Sequence, residues 1–232
     1  MARILFIQCT EPAGYPPLIN AAICFAAAGH ESVFLSAPIH GKTLAMPPHP
    51  ALRTIALPAR TTHVLSKTFY LQYLARAVRL ARSERPALIY ASDPSGALPG
   101  VLASMASGAP LVYHEHDSPS RDAHLNPLFR HGRYQALRRA TRIVFPNAQR
   151  AETVASETHF DQHKLNIVWN LPRREEVPAA IARPESPLTL YYHGTIVPDR
   201  LPTSVVTALL RFGGAVQLRF AGYETASGRG HS

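Results

Sequence analysis

The stretch 113–119 reads YHEHDSP and follows directly on an apolar run at 109–112. Imidazole and carboxylate groups placed side by side can move protons, hydrogen-bond to hydroxyl groups or hold a metal ion. Side chains two residues apart in an extended chain point to the same side, so His114 and His116 are expected to face the same way. A buried strand that ends in such residues indicates either a functional site or an irregular loop.

Apolar runs and helix-period patterns alternate along the chain and predict the elements that position this stretch. Predicted strands cover residues 3–8, 32–36, 52–57, 87–91, 110–113, 142–145 and 165–169. Predicted helices cover residues 16–28, 65–83, 96–107, 127–140 and 149–157. This alternation predicts an α/β fold, a doubly wound parallel sheet with helices on both faces.

Ligands of such sheets bind at the carboxyl ends of the strands, so the polar stretches that follow the predicted strands are candidate sites. These stretches cover residues 10–15, 92–95, 114–122 and 146–147. Gly14 lets a backbone approach a ligand closely, and Tyr15 follows it. Asp93 could contact a ligand, although capping of the next helix is the commoner role of such a residue. Asn147 belongs to the same set.

The chain changes character at residues 171–187, where four prolines lie among arginines and glutamates. This composition is typical of an interdomain linker. Beyond it the pattern predicts a strand at 188–192, a helix from about 203 to 212 and a strand at 216–221. One helix and two strands cannot bury a core of their own. We therefore expect a first domain at 1–170 and, at 188–232, the incomplete start of a second one.

Composition narrows the function classes. The 232 residues carry 24 Lys and Arg against 15 Asp and Glu, a formal net charge of +9. This excess fits nucleotide-sugar phosphates or an anionic lipid surface, whereas nucleic-acid binding is disfavoured because the basic residues lack interleaved stacking aromatics. No GxGxxG motif supports a nicotinamide cofactor. The short first strand is no signal peptide and no apolar run approaches a membrane span, so we expect a cytoplasmic protein.

The order and spacing of five stretches resemble those of the GT-B glycosyltransferases of family 4, which are also called glycosyl transferases group 1. They are the opening strand 4–7 with the Gly14 loop, GHESV at 29–33, His116 after its strand, IVWN at 167–170, and YYHGT at 191–195 followed by Asp199 and Arg200. The resemblance implies two Rossmann-like domains across a cleft, with the acceptor on the first and a nucleotide-sugar on the second. It also implies transfer with retention, without a metal or a cofactor.

The resemblance assigns roles to individual residues. His116 is similar to a family histidine that lies near the transferred sugar, and Asp117 beside it would orient that ring or bind an acceptor hydroxyl. Gly194 and Arg200 would contact the donor diphosphate, because an arginine pairs well with phosphate. The acceptor side of the cleft would consist of Gly14, Tyr15, Asp93, His114 and Asn147.

Several alternatives stay open at this point. His114, His116, Asp122 and His124 could instead form a metal site, although the His-x-His spacing is unspecific. The arginines of the predicted helices could be a solvated face, or they could hold the protein to an anionic membrane where lipid-linked acceptors reside.

The function has alternatives too. The family's donor-side motif, two glutamates separated by seven residues, is absent from the sequence. The chain could therefore be a non-catalytic half of a split glycosyltransferase that binds an acceptor or a partner. It could also be a sugar-nucleotide epimerase of the same architecture, which would release an epimerised sugar without an acceptor.

Overall fold

The computed structural model describes residues 1–38, 45–59, 66–116, 125–177, 179, 187–196 and 203–223. The chain divides into two compact units, Met1–Glu176 and Val177–Ser232. This division falls inside the predicted linker 171–187, while the acceptor and donor roles of the two parts stay predictions. Among the helices described, none combines the length and the apolar character that crossing a membrane requires.

The first unit is a parallel sheet with helices on both faces, as the alternating pattern predicts. Its strands are β1 (Arg3–Ile7), β2 (Glu31–Ser36), β3 (Leu52–Ala56), β4 (Leu88–Ser92), β5 (Leu111–His114), β6 (Arg142–Phe145) and β7 (Leu165–Ile167). Its helices are α1 (Pro16–Ala27), α2 (Lys67–Glu84), α3 (Asp93–Ser107), α4 (Pro127–Arg139) and α5 (Ala148–Glu157). The strand order is β3-β2-β1-β4-β5-β6-β7, which confirms the Rossmann-like fold.

Two clusters of buried residues form the core, one on each face of the sheet. Leu5 and Ile7 of β1 pack toward α2, α3, α4 and α5, while Ile4 and Phe6 pack toward α1. This division follows from the two-residue period of a strand. The strands are apolar on both sides because helices cover both faces.

Several element boundaries differ by one to three residues from the sequence-based expectation. Helix α3 begins at Asp93, three residues before the predicted start at 96, since Pro94 fits the first helical turn, where its missing N–H has no intrahelical partner to lose. Strand β7 ends at Ile167 rather than at 169, although the N–H of Val168 still donates to the carbonyl of Phe145.

Glycines let α3 lie close to its neighbours. A Cβ atom on Gly96 would stand 2.9 Å from the carbonyl oxygen of Ile7, at the end of β1. A Cβ atom on Gly132 of α4 would stand 2.7 Å from the Cβ of Leu98 on α3. Both distances are shorter than a van der Waals contact. A larger residue at 96 would therefore push α3 away from β1, and one at 132 would push α4 away from α3. The first turn of α3 is thereby held against the end of β1.

Helix α3 contains an interior proline, and a side chain of the neighbouring α2 replaces the hydrogen bond that this proline removes. Pro99 has no N–H to donate to the carbonyl of Ser95, four residues earlier. The hydroxyl of Tyr70 on α2 donates to that same carbonyl at 3.0 Å. Burial raises the pKa of Tyr70, which keeps the hydroxyl protonated. The tyrosine thus replaces the hydrogen bond that the proline removes.

The second unit, as far as it is described, is a β-α-β arrangement. It contains β8 (Leu188–Thr195), α6 (Thr203–Leu209), a turn of 3-10 helix (Leu210–Phe212) and β9 (Val216–Tyr223), with β8 parallel to β9. Gly194 pairs with Gly222, where a side chain would collide with the facing backbone. Large apolar side chains such as Tyr191 and Phe220 stay more than half exposed. These elements match the predicted ones and bury little apolar surface.

We expect Tyr70→Phe to lower the free energy of unfolding by about 1–2 kcal/mol, because the carbonyl of Ser95 loses its partner in a buried setting. In a Pro99→Ala background the same substitution should cost clearly less, since the introduced alanine supplies the missing N–H. Chemical denaturation of the four proteins in this double-mutant cycle measures the difference. Equal costs in both backgrounds would contradict the compensation.

Candidate active site

The carboxyl ends of β1, β4, β5 and β6 meet at one edge of the sheet, and polar side chains from all four connections lie there. The strand order reverses between β1 and β4, which is the switch point where ligands of such sheets bind. The ring of Tyr15 lies 5.9 Å from that of His116, centroid to centroid. The backbone N–H of His116 donates to Oδ1 of Asp93 at 2.9 Å. The guanidinium of Arg150 donates to the carbonyl of His116.

Four side chains at this edge form a continuous chain of hydrogen bonds. Tyr90 Oη lies 2.7 Å from Nδ1 of His114, and Nε2 of His114 lies 3.2 Å from Nδ1 of His116. Nε2 of His116 lies 2.6 Å from Oγ of Ser92. The two rings therefore face the same way, as the two-residue spacing predicts, and each uses both of its nitrogens within the protein.

A neutral imidazole donates from one nitrogen and accepts at the other, so this chain has two self-consistent directions. In the first direction Tyr90 donates to His114, His114 donates to His116, and His116 donates to Ser92. In the second direction Ser92 donates to His116 and every later bond is reversed. In both directions the four groups satisfy one another without any net charge.

The surroundings keep both rings neutral. Burial lowers the pKa of His114 to about 2, and the neighbouring His116 acts in the same direction. Burial and the guanidinium of Arg150 together lower the pKa of His116 to about 4. The predicted hydrogen bond from the His116 ring to a sugar hydroxyl stays a prediction, and it would require the ring to give up one of its present partners.

The opposite side of the same strand end carries a buried ion pair. Arg133 of α4 donates to Glu115 through Nε at 2.8 Å and through Nη2 at 2.7 Å, and both side chains are at most 2% exposed. The hydroxyl of Tyr113 also donates to Glu115, at 2.8 Å. Burial, followed by the charge of Glu115, raises the pKa of Tyr113 and keeps that hydroxyl protonated. Such a two-pronged pair fixes geometry as well as charge.

The N-cap position of α3 falls on Ser92, whose side chain makes no cap bond, and Asp93 is the first residue of the helix. The capping role expected for the Asp93 side chain stays a prediction. Asp93 adopts a left-handed backbone with φ of 59°, a conformation that only glycine, asparagine and aspartate visit readily. Its carboxylate turns toward β5, where it accepts the N–H of His116.

Asn147 has a capping role in this structure. Its side chain accepts the backbone N–H of Arg150 at 2.8 Å and so closes the first turn of α5. The cap positions Arg150, whose side chain reaches the carbonyl of His116. The predicted contact of Asn147 with an acceptor stays a prediction.

Sequence reasoning missed five residues of this edge: Tyr90, Ser92, Arg133, Glu115 as an ion-pair partner, and Arg150. A usable signal existed for Ser92, which pairs in register with His114. Tyr90, Ser92, His114 and His116 also share one face through the two-residue period of their strands. Arg133 and Arg150 carry no such signal, since helical arginines are usually solvated.

The structure does not test every predicted residue. Asp117 and Arg200 lie outside the described residues, as do Asp122 and His124 of the alternative metal site. Gly194 belongs to the second unit. Within the described ranges, the histidines, cysteines and carboxylates form no group of three or more that could hold a metal ion. Gly14 is exposed in the connection that carries Tyr15.

Because their pKa values are lowered, His114 and His116 bind fewer protons in the folded protein than in the unfolded chain, where histidine titrates near 6.5. Their contribution to stability is complete above about pH 6.5 and is lost as the pH falls, down to about 4 for His116 and about 2 for His114. We expect His116→Gln to reduce the pH slope of the unfolding free energy between about pH 6.5 and 4 by about 1 kcal/mol per pH unit. An unchanged slope in the His116→Gln variant would contradict the neutral rings.

Comparison with known proteins places this geometry in context. The model of the glycosyl transferase 4-like domain family matches residues 20–170. No curated protein sequence matches the chain. Solved structures match it at 11–17% identity, and at this identity the likeness shows the fold alone.

Three of these structures are representative. HepE of Anabaena, in complex with UDP and glucose, has a TM-score of 0.61 at 17% identity, over 97% of this chain and 70% of HepE. The lipopolysaccharide outer core galactosyltransferase WaaB has a TM-score of 0.62 at 14% identity, over 97% of this chain and 62% of WaaB. A UDP-N-acetylglucosamine 2-epimerase has a TM-score of 0.63 at 12% identity, over 94% of this chain and 62% of that enzyme.

The family match covers more than half of the chain, and the sheet order and structural likenesses agree with the predicted fold. The chain therefore belongs to the glycosyl transferase 4-like domain family.

Proposed function

We propose that this protein acts in glycosyl transfer from a nucleotide-sugar donor to a hydroxyl group of an acceptor, and that the acceptor binds at the carboxyl edge of the first unit. The observation that carries the proposal is the meeting of Tyr15, Asp93, His116 and Arg150 at the switch point of the sheet. Membership of the glycosyl transferase 4-like family supports the reaction class.

In this proposal His116 is a positioning residue. Its ring is fixed on both sides by Ser92 and His114. Its backbone N–H holds the carboxylate of Asp93, and its carbonyl holds the guanidinium of Arg150. One residue thus sets the relative positions of an acidic and a basic side chain, and such preorganisation is what binding and orientation of a substrate require.

Asp93 is the residue that we propose to accept the hydrogen bond of the acceptor hydroxyl. A carboxylate is a strong acceptor, and a hydroxyl group that donates to it becomes a better nucleophile. The left-handed backbone of Asp93 fits this role, because unusual backbone conformations are often retained at functional sites. The half-buried ring of Tyr15 offers an apolar face beside it.

The donor is proposed to be a nucleotide-sugar, and the UDP complex of HepE supports a uridine nucleotide. Contact of Gly194 and Arg200 with the donor diphosphate remains part of this proposal.

Retention of the anomeric configuration and independence from metal ions follow from the family resemblance. The anomer of the product would check the first, and assays with EDTA would check the second. The chain spans 62% of the length of WaaB, so the complete reaction is a proposal.

Epimerisation of a sugar nucleotide is the second candidate, supported by the TM-score of 0.63 with a UDP-N-acetylglucosamine 2-epimerase. The two reactions differ in one requirement. A transferase needs an acceptor to form its product, whereas an epimerase releases an epimerised sugar without one. Product analysis with and without acceptor separates them.

Nucleotide binding is the first step to measure, using calorimetry with UDP, GDP and ADP on the 232-residue chain. Binding of one nucleotide supports donor recognition by this chain and opens the turnover assay. If the protein is folded and unfolds cooperatively but binds none of the three nucleotides, donor recognition by this chain alone is refuted. That result would favour the alternative of an acceptor-binding half.

We expect Asp93→Asn to lower turnover of a bound nucleotide-sugar at least roughly tenfold, since the amide keeps the left-handed backbone and an acceptor for the N–H of His116 but loses the charge. Glu152→Gln on the exposed side of α5 makes the same change of charge and should alter turnover less than about twofold. Nucleotide release is the measurement. Equal rates for Asp93→Asn and the unmodified chain would refute the assigned role.

Contact with an anionic membrane, where lipid-linked acceptors reside, is part of the same proposal. Arg76, Arg79 and Arg82 are basic residues of α2, and Leu71 on the same helix is 63% exposed. Clustered basic residues bind anionic lipid surfaces. We expect the chain to sediment with phosphatidylserine vesicles at low salt. A triple variant that carries Arg76→Gln, Arg79→Gln and Arg82→Gln should bind clearly less. Equal sedimentation of both proteins would contradict the contact.

A further inference from the structure

A groove on the outside of the first unit lies between α4 and the residues that end and follow α5. Its volume is about 530 Å³. Ligand pockets usually fall between roughly 300 and 1,000 Å³. The groove is built by different residues from those of the sheet edge, with Arg130, His131 and Tyr134 on α4 and Glu157 and His159 opposite.

Three side chains bring hydrogen-bond donors to the groove. Arg130 lines the groove, and its guanidinium forms no ion pair with any residue in the described ranges. His131 and His159 line it as well and add imidazole N–H groups. An arginine that lines a concave surface without a carboxylate partner is available for a charge-assisted bond to an anion.

A carboxylate lines the same groove. Glu157 lies 3.8 Å from Nη1 of the buried Arg133, whose guanidinium also pairs with Glu115. The groove therefore offers a guanidinium from Arg130 and a carboxylate from Glu157, which suits a ligand that carries both an anionic group and hydroxyl groups.

An aromatic ring forms part of the same wall. Tyr134 is 41% exposed, and the guanidinium carbon of Arg138 lies 5.4 Å from its ring centroid. A nitrogen of Arg138 also donates to the hydroxyl of Tyr134 at 3.4 Å. A partly exposed tyrosine can pack against the apolar face of a sugar ring while its polar tip stays in water.

We propose that this groove is a second binding site, separate from the sheet edge, and that it takes an anionic sugar unit carrying a phosphate or a carboxylate group. Arg130 binds the anionic group, the imidazoles of His131 and His159 donate to its oxygens or to hydroxyl groups, and Tyr134 packs against the ring. Glu157 accepts from a sugar hydroxyl. The site does not depend on the proposed transfer reaction, because it would hold a ligand even in a chain that transfers nothing.

The test is an NMR titration of the ¹⁵N-labelled chain with glucose 6-phosphate, glucuronate, glucose and inorganic phosphate. We expect signals of α4 and of residues 157–159 to shift with one or both anionic sugars, at concentrations at which glucose and inorganic phosphate bind about tenfold more weakly. Binding of glucose 6-phosphate alone would identify the anionic group as a phosphate, and binding of glucuronate alone would identify it as a carboxylate. Equal binding of inorganic phosphate would reduce the groove to a simple anion site and overturn the sugar assignment.

Matched variants separate this groove from the sheet edge and from bulk charge. Arg130→Gln should weaken binding of the anionic sugar about tenfold, because one charge-assisted pair is lost. Arg139→Gln removes the same charge from an exposed position of the same helix that does not line the groove, and it should change binding less than about twofold. Tyr134→Leu should reduce sugar binding several-fold and leave binding of inorganic phosphate unchanged. Equal effects of Arg130→Gln and Arg139→Gln, or no shift with either anionic sugar at about 20 mM ligand, would overturn the proposal.

Discussion

The buried pair of Arg133 and Glu115 is the interaction on which the sheet edge depends. Glu115 follows β5, and neighbouring residues of an extended chain point to opposite sides. Fixing Glu115 against α4 therefore turns His114 and His116 to the other face, toward β4. A buried carboxylate without its guanidinium would be strongly unfavourable, so the orientation of the strand end is tightly coupled to the position of α4. An ion pair on one side of the strand thus arranges the neutral hydrogen bonds on the other.

The position of α3 is the second requirement of the site. Asp93 can reach His116 only because the first turn of α3 stands against the end of β1, where Gly96 leaves no side chain between them. The helix also tolerates the interior Pro99, because Tyr70 of α2 donates to the carbonyl that the proline leaves without its helical partner. Close packing and one compensating hydrogen bond therefore support a residue in an uncommon backbone conformation.

The sequence predicted much of this fold for a physical reason. Apolar strands alternating with amphipathic helices leave few arrangements other than a parallel sheet covered on both faces, and the carboxyl edge follows from that topology. Gly14, Tyr15, Asp93, His114 and Asn147 could be placed near this edge because each follows a strand or ends one. Their individual contacts could not be predicted, since they depend on strand register and on the lateral distance between helices.

The missed residues illustrate the limit. Arg133 belongs to a helix with many arginines, and nothing in the spacing tells the one buried arginine from its exposed neighbours. The N-cap position of α3 falls on Ser92 because the helix begins three residues earlier than predicted. Arg150 reaches His116 only because Asn147 sets the first turn of α5. These are tertiary effects that local patterns do not encode.

The chain of hydrogen bonds from Tyr90 to Ser92 couples the two hydroxyl groups at its ends. They cannot both send their hydrogens outward while the chain stays intact, because one end must always donate inward. A reversal at the buried Ser92 would turn all three bridging protons and reach Tyr90 without any change in net charge. The four groups therefore behave as a single unit with two states, although no two of them belong to neighbouring residues.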